Sequence, residues 1–203
     1  TQKTHSIRQI KLDDAELDRA IEELLKSKRP LIIAGGGVHY AKACEDLQQF
    51  AKQHQIPVAE TSAGKGALAW DHSSYVGAIG VTGSNAANNM AKQADLVLAI
   101  GTRLNDFNSG SRALFSSATI VQLNVARFDA IKHNALPLWG DAKLGIQQLD
   151  TKLSNWKVSK EWVDLAHEES SKWNNYYDEI TSIKSASKTM DSLPTDAQVL
   201  GEL

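Results

Sequence analysis

The sequence has one cysteine, Cys44, in 203 residues. A lone thiol excludes an internal disulfide and the cysteine sets of structural zinc sites, and it points to a reducing, cytoplasmic setting. No apolar run approaches the roughly 20 residues needed to span a bilayer. No signal-peptide pattern opens the chain, so no membrane partner is expected. Neither sign of charge is in excess. The 22 Lys and Arg nearly balance the 24 Asp and Glu, leaving −2, which excludes the basic footprint of a nucleic-acid-binding protein. There is no Gly-x-Ser-x-Gly elbow and no His-Glu-x-x-His pair, so the common hydrolase and metalloprotease signatures are missing.

What is present is ordinary globular material, 42% hydrophobic and 23% charged. That suits one domain with appendages, or at most two small ones. Asp13 or Asp14 can cap a first helix through Ala15, Leu17, Ala20, Ile21, Leu24 and Leu25, and Pro30 ends it. From there short apolar strands alternate with helices. Strands are expected at 31–34, 56–59, 75–78, 95–100, 118–123 and 136–139. One helix is expected through Ala41, Leu47, Phe50 and Ala51, and others over 83–93, 127–132 and 142–154. Continuous apolar strands separated by helices predict an α/β fold: a doubly wound, Rossmann-like, mostly parallel six-stranded sheet with helical N- and C-terminal extensions. The division expected is 1–28 as linker and helix, 29–154 as the α/β domain, 155–192 as amphipathic helix and linker, and 193–203 as the start of a further domain cut short. Trp162, Leu165, Ala166, Trp173, Tyr176, Tyr177, Ile180 and Ile183 recur at helical spacing. That stripe reads first as a packing face and second as an aromatic ligand box.

Right-handed crossovers bring all the strand carboxyl ends to one edge, where open α/β sheets bind ligands. Gly35-Gly36-Gly37 stands at the first strand tip. It reads either as a phosphate-holding turn or as a tight turn needing positive φ. Tyr40 occupies the place where a dinucleotide fingerprint wants Gly or Ala, and Glu60 stands roughly where a ribose-binding acid would. Gly64-Lys65-Gly66 fails the Walker pattern on both sides. Arg103 and Asp106 are either ligand contacts or a loop-fixing ion pair. Asp141 reads first as an N-cap for the 142–154 helix. Cys44 has no sequence neighbour that marks it as a nucleophile.

In order, several stretches resemble the central domain of the acetolactate synthase group of thiamine-diphosphate enzymes. They are Arg29-Pro30-Leu31-Ile32-Ile33-Ala34-Gly35-Gly36-Gly37, Ile56-Pro57-Val58-Ala59-Glu60-Thr61, Gly64-Lys65-Gly66, Asp71-His72, the run 95–106 and Gly140-Asp141-Ala142-Lys143. The likeness covers about residues 29–150. Within the group, Ser62-Ala63-Gly64-Lys65-Gly66, Gly77-Ala78-Ile79-Gly80-Val81-Thr82-Gly83-Ser84 and the tail Leu193-Pro194-Thr195-Asp196 look like the branch that opens a cyclic 1,2-diketone in myo-inositol breakdown. The resemblance implies a parent hydrolase cleaving a C–C bond with thiamine diphosphate and magnesium. It places the catalytic glutamate and the Gly-Asp-Gly metal motif in other domains; here Gly140-Asp141 is followed by Ala142. No catalytic or metal residue is therefore expected in this chain. Its expected partners are the missing pyrimidine- and pyrophosphate-binding domains and further copies in a homo-oligomer. In acetolactate synthases the central domain holds FAD near positions matching Gly36, Gly101, Arg103 and Asn124. Two aspartates usual there are replaced by Asn124 and Ala126. The expectation is a scaffold with an empty crevice, with FAD as the lesser outcome. The rivals are a free-standing FAD- or NAD-binding module and a sirtuin-like deacylase; the deacylase would need four zinc-binding cysteines.

Overall fold

The computed structural model describes residues 8–182 and 194–202. Its centre is a sheet of six parallel strands in the order β3-β2-β1-β4-β5-β6. The helix α1 (Asp14–Lys26) comes first, capped by Asp13, whose carboxylate accepts from the Ala15 and Glu16 N–H groups. Then follow β1 (Pro30–Ala34), α2 (Gly36–Tyr40), α3 (Cys44–His54), β2 (Val58–Glu60), β3 (Tyr75–Ala78), α4 (Asn85–Gln93) and β4 (Leu96–Ile100). After these come α5 (Asp106–Ser109), β5 (Thr119–Asn124), α6 (Arg127–Ala130), β6 (Leu136–Trp139), α7 (Ala142–Leu153), α8 (Lys160–Thr181) and α9 (Asp196–Gly201).

The central strands are apolar because both of their faces are covered. Every residue of β1 and of β4 is buried, and β1 pairs with β2 and β4 through Ile33↔Ala59 and Ile33↔Ala99. Each fully buried Leu or Ile there contributes about 1.5–3 kcal/mol. One face carries α1, α2, α3 and α7, and the other carries α4 with α8. The chain crosses beneath the sheet between them. The Val158 N–H bonds the His54 carbonyl at 3.0 Å, and the buried Trp162 ring sends its Nε1–H to the Pro30 carbonyl at 2.8 Å.

The expected strands are found, with shifted ends; the second begins at Val58 instead of at residue 56. The sheet is wholly parallel. The single helix expected after the first strand is two. Lys42 takes a left-handed backbone at φ 52°, which separates α2 from α3. The positive φ expected in Gly35–Gly37 is absent as well: Gly35 has φ −113°. These glycines serve close approach instead. A Cβ on Gly37 would lie 2.6 Å from the Gly101 Cα, and Gly101 is the residue with positive φ, 61°.

Both edge strands carry capping contacts. On β3, the Ser84 hydroxyl donates to the Val76 carbonyl and the Ser84 N–H to the Ala78 carbonyl, while Ser170 Oγ reaches the Tyr75 carbonyl. On β6, the Trp139 N–H goes to the Glu16 carboxylate. Just past the strand the Asp141 N–H goes to the Ile10 carbonyl. Among the described residues no helix is long and apolar enough to cross a membrane. The part of the expected 155–192 helix and linker that follows Ser182, including Ile183, lies outside the described residues.

Candidate functional site

The sheet order reverses at β1, which has β2 on one side and β4 on the other, and a crevice of about 610 Å³ opens over these strand tips. Gly36, Gly101, Arg103 and Asn124 all line it. Its walls are built by backbone contact. The Gly35 N–H bonds the Ile100 carbonyl and the Gly37 N–H bonds the Gly101 carbonyl, each at 2.9 Å. The Gly37 amide, a donor a phosphate would need, is therefore already in use.

Several polar side chains of the crevice are committed in the same way. Asn124 is 8% exposed. Its Nδ2–H donates to the Thr102 carbonyl at 2.9 Å, and its Oδ1 accepts from the Ala126 N–H at 2.9 Å. The neighbouring amide of Gln122 also donates to the Thr102 carbonyl, at 3.0 Å. Asp141 caps α7, accepting from the N–H groups of Lys143 and Leu144. Asn105 caps α5. Arg103, 79% exposed along its side chain, faces Asp129 at 3.8 Å, and Asp129 is held closely by Lys132 at 2.7 Å. Asp106 is simply the first residue of α5. Arg103 thus belongs to a loose ion pair, with Asp129 as a partner that sequence spacing does not reveal. Only the Asp129–Lys132 contact, three residues apart on the chain, leaves a local signal.

Other candidates have structural duties. The Glu60 carboxylate is fully buried and faces the loop after β2, accepting from the Leu68 N–H at 2.8 Å and the Gly66 N–H at 3.3 Å. It is not available to a ribose. Gly64 fits because a Cβ would lie 2.2 Å from the Ala34 carbonyl oxygen. Cys44 has a partner after all. Its sulfur is 3.4 Å from His39 Nδ1, and His39 Nε2 faces the carbonyls of Gly64 and Lys65. Carbonyls only accept, so Nε2 carries the proton and the thiol donates to Nδ1. Burial, aided by the Glu60 charge, raises the thiol's pKa and favours this protonated form.

Among its lining residues the crevice holds no nucleophile–base pair, and its carboxylates, Asp129 and Asp141, are already paired or capping. No carboxylate is left free for the ribose hydroxyls of a dinucleotide such as FAD or NAD. Among the described residues no trio of His, Cys, Asp or Glu could hold a metal ion.

Comparison with known proteins agrees with the fold. The family model described as thiamine pyrophosphate enzyme, central domain, matches residues 17–149. Curated relatives bear the name 3D-(3,5/4)-trihydroxycyclohexane-1,2-dione hydrolase. That of Clostridium tetani is 33% identical, over 99% of this chain and 34% of its own length. That of Geobacillus thermodenitrificans is 40% identical, over 81% of this chain and 25% of its own. One from Bacillus cereus, numbered 2, is 45% identical over 68% and 22%. The matches span about a third of these relatives or less. None of this supports a free-standing flavin or nicotinamide module.

Proposed function

The chain belongs to the thiamine pyrophosphate enzyme family, as its central domain, and on that basis we propose that it is the scaffold segment of a hydrolase acting on trihydroxycyclohexane-1,2-dione. The observation that carries the scaffold role is the commitment of the crevice's polar groups: Asn124 to Thr102 and Ala126, Asp141 to α7. The relatives' names support the reaction. In this reading the parent enzyme opens the cyclic diketone by C–C cleavage, yielding 5-deoxyglucuronate in myo-inositol catabolism in the cytoplasm. Thiamine diphosphate and magnesium are held by the pyrimidine- and pyrophosphate-binding domains, outside this chain, and the whole assembles as a homo-oligomer. Residues 29–154 form the central domain proper, with Gly36, Gly101, Arg103 and Asn124 as its vestigial crevice. Residues 193–203, where α9 starts from a Thr195 capping box, begin the next domain. No step of the reaction is assigned to residues of this chain.

The test is direct. The full-length protein carrying this sequence, supplied with thiamine diphosphate and magnesium, should hydrolyse the cyclic dione, and residues 1–203 alone should not. Titration of the 203-residue chain with FAD and NAD should give no saturable binding. Tight flavin binding, or an inactive full-length protein, would overturn the scaffold reading or the hydrolase reading respectively.

A further inference from the structure

A second cleft, about 860 Å³, lies between β3, the loop before it and the exposed half of α8. That volume is within the roughly 300–1,000 Å³ usual for small-ligand sites. It divides the aromatic stripe into two halves. Trp162 and Ala166 pack in the core, whereas Trp173 and Tyr177 line the open cleft, together with Trp70. Trp70 is 81% exposed, far more than a ring of that size leaves to water without reason.

The polar groups here contrast with those of the strand-tip crevice. Among the described residues, the side chains of Asp71, Asn174 and Asp178 take part in no hydrogen bond or ion pair, yet all three line this cleft. All three are exposed; carboxylates only accept, so a neutral ligand held by them would be rich in donors. Lys65, the ammonium group among the lining residues, is 3.0 Å from the Tyr75 hydroxyl and sits over the Tyr75 ring at 5.1 Å. An anionic ligand would therefore find two carboxylates and no uncommitted cation. A saturated ring bearing several hydroxyls meets both demands. Its C–H face lies on an indole, and its O–H groups donate to Asp71, Asp178 and the Asn174 carbonyl.

We infer that the cleft between β3 and α8 binds a small neutral polyhydroxylated ring. The cleft offers acceptors beside aromatic faces; the choice of a neutral six-membered carbocycle rests on the hydrolase reading above. The probe is myo-inositol, titrated into the 203-residue chain and followed by tryptophan emission and by equilibrium dialysis. Saturable binding is expected, weakened by about tenfold or more in Trp70→Ala and in the Asp71→Asn/Asp178→Asn pair. Arg103→Ala, in the other crevice, should leave it unchanged. Trp70 is largely exposed, so its loss does not threaten folding. The inference is overturned by an absence of saturable binding or by undiminished binding in Trp70→Ala. Displacement by tetramethylammonium would overturn it in favour of an organic-cation site. Shielding of Trp70 from acrylamide in the ligand-free full-length protein would overturn it in favour of a domain-docking face. Binding is read without turnover, so its failure leaves the hydrolase reading standing, and an inactive full-length protein leaves the binding result standing.

Discussion

Asn124 shows how one crevice side chain can be taken up by its own loops. It stands where acetolactate synthases usually carry an aspartate, and its amide donates to the Thr102 carbonyl while its oxygen accepts from Ala126. Asn124→Asp would remove the donor and set a buried carboxylate against that carbonyl. We expect a loss of about 1–3 kcal/mol, read as a lower urea midpoint, with no gain of flavin binding. Gly37→Ala should cost about 1–3 kcal/mol by overpacking, because the new Cβ meets the Gly101 backbone; a lowered Tm would show it. The cap at Asp141 was legible from its place before a helix. The role of Asn124 was not, because its partner Thr102 lies 22 residues away on another strand tip. For the same reason Glu60 looked like a ribose ligand until Gly66 and Leu68 were seen to take its oxygens.

At the scale of elements, the strands were legible because burial on both faces makes them continuously apolar, a signal independent of partners. Their ends were less so, and the break between α2 and α3 was not, since Lys42 carries no signature of a left-handed backbone. The joint between α1 and β4 offers a test in acid. Burial pushes the Asp95 carboxyl pKa up. Hydrogen bonds from Ser27 Oγ and from the Lys28 and Arg29 N–H groups, with the Arg29 charge, outweigh that and hold it below its ordinary value. A carboxyl depressed in the folded state stabilises fully above the ordinary aspartate range of about 3.9, and that contribution is lost as pH falls through the lower folded value. Asp95→Asn should therefore be less stable at neutral pH and show a shallower acid limb in its stability profile. Trp162→Phe should loosen α8 by about 1 kcal/mol, by removing the bond to Pro30 while keeping the ring. Faster proteolysis within α8 would report it.

For the whole molecule, the order of motifs identified the family while single motifs could not, because each loop alone is compatible with many α/β proteins. The division of α8 into a packed half and an open half needed the sheet in place, since its periodicity is the same throughout. The capped edges of the sheet carry a consequence for how copies of this chain can meet. The serine caps on β3 and the Glu16 and Ile10 contacts beside β6 occupy groups that would otherwise template another strand. These caps disfavour joining copies by extending a common sheet. Removing the caps with Ser84→Ala and Ser170→Ala should expose a growing edge. The expected sign is thioflavin-positive aggregation on mild heating, at temperatures where the parent chain stays dispersed.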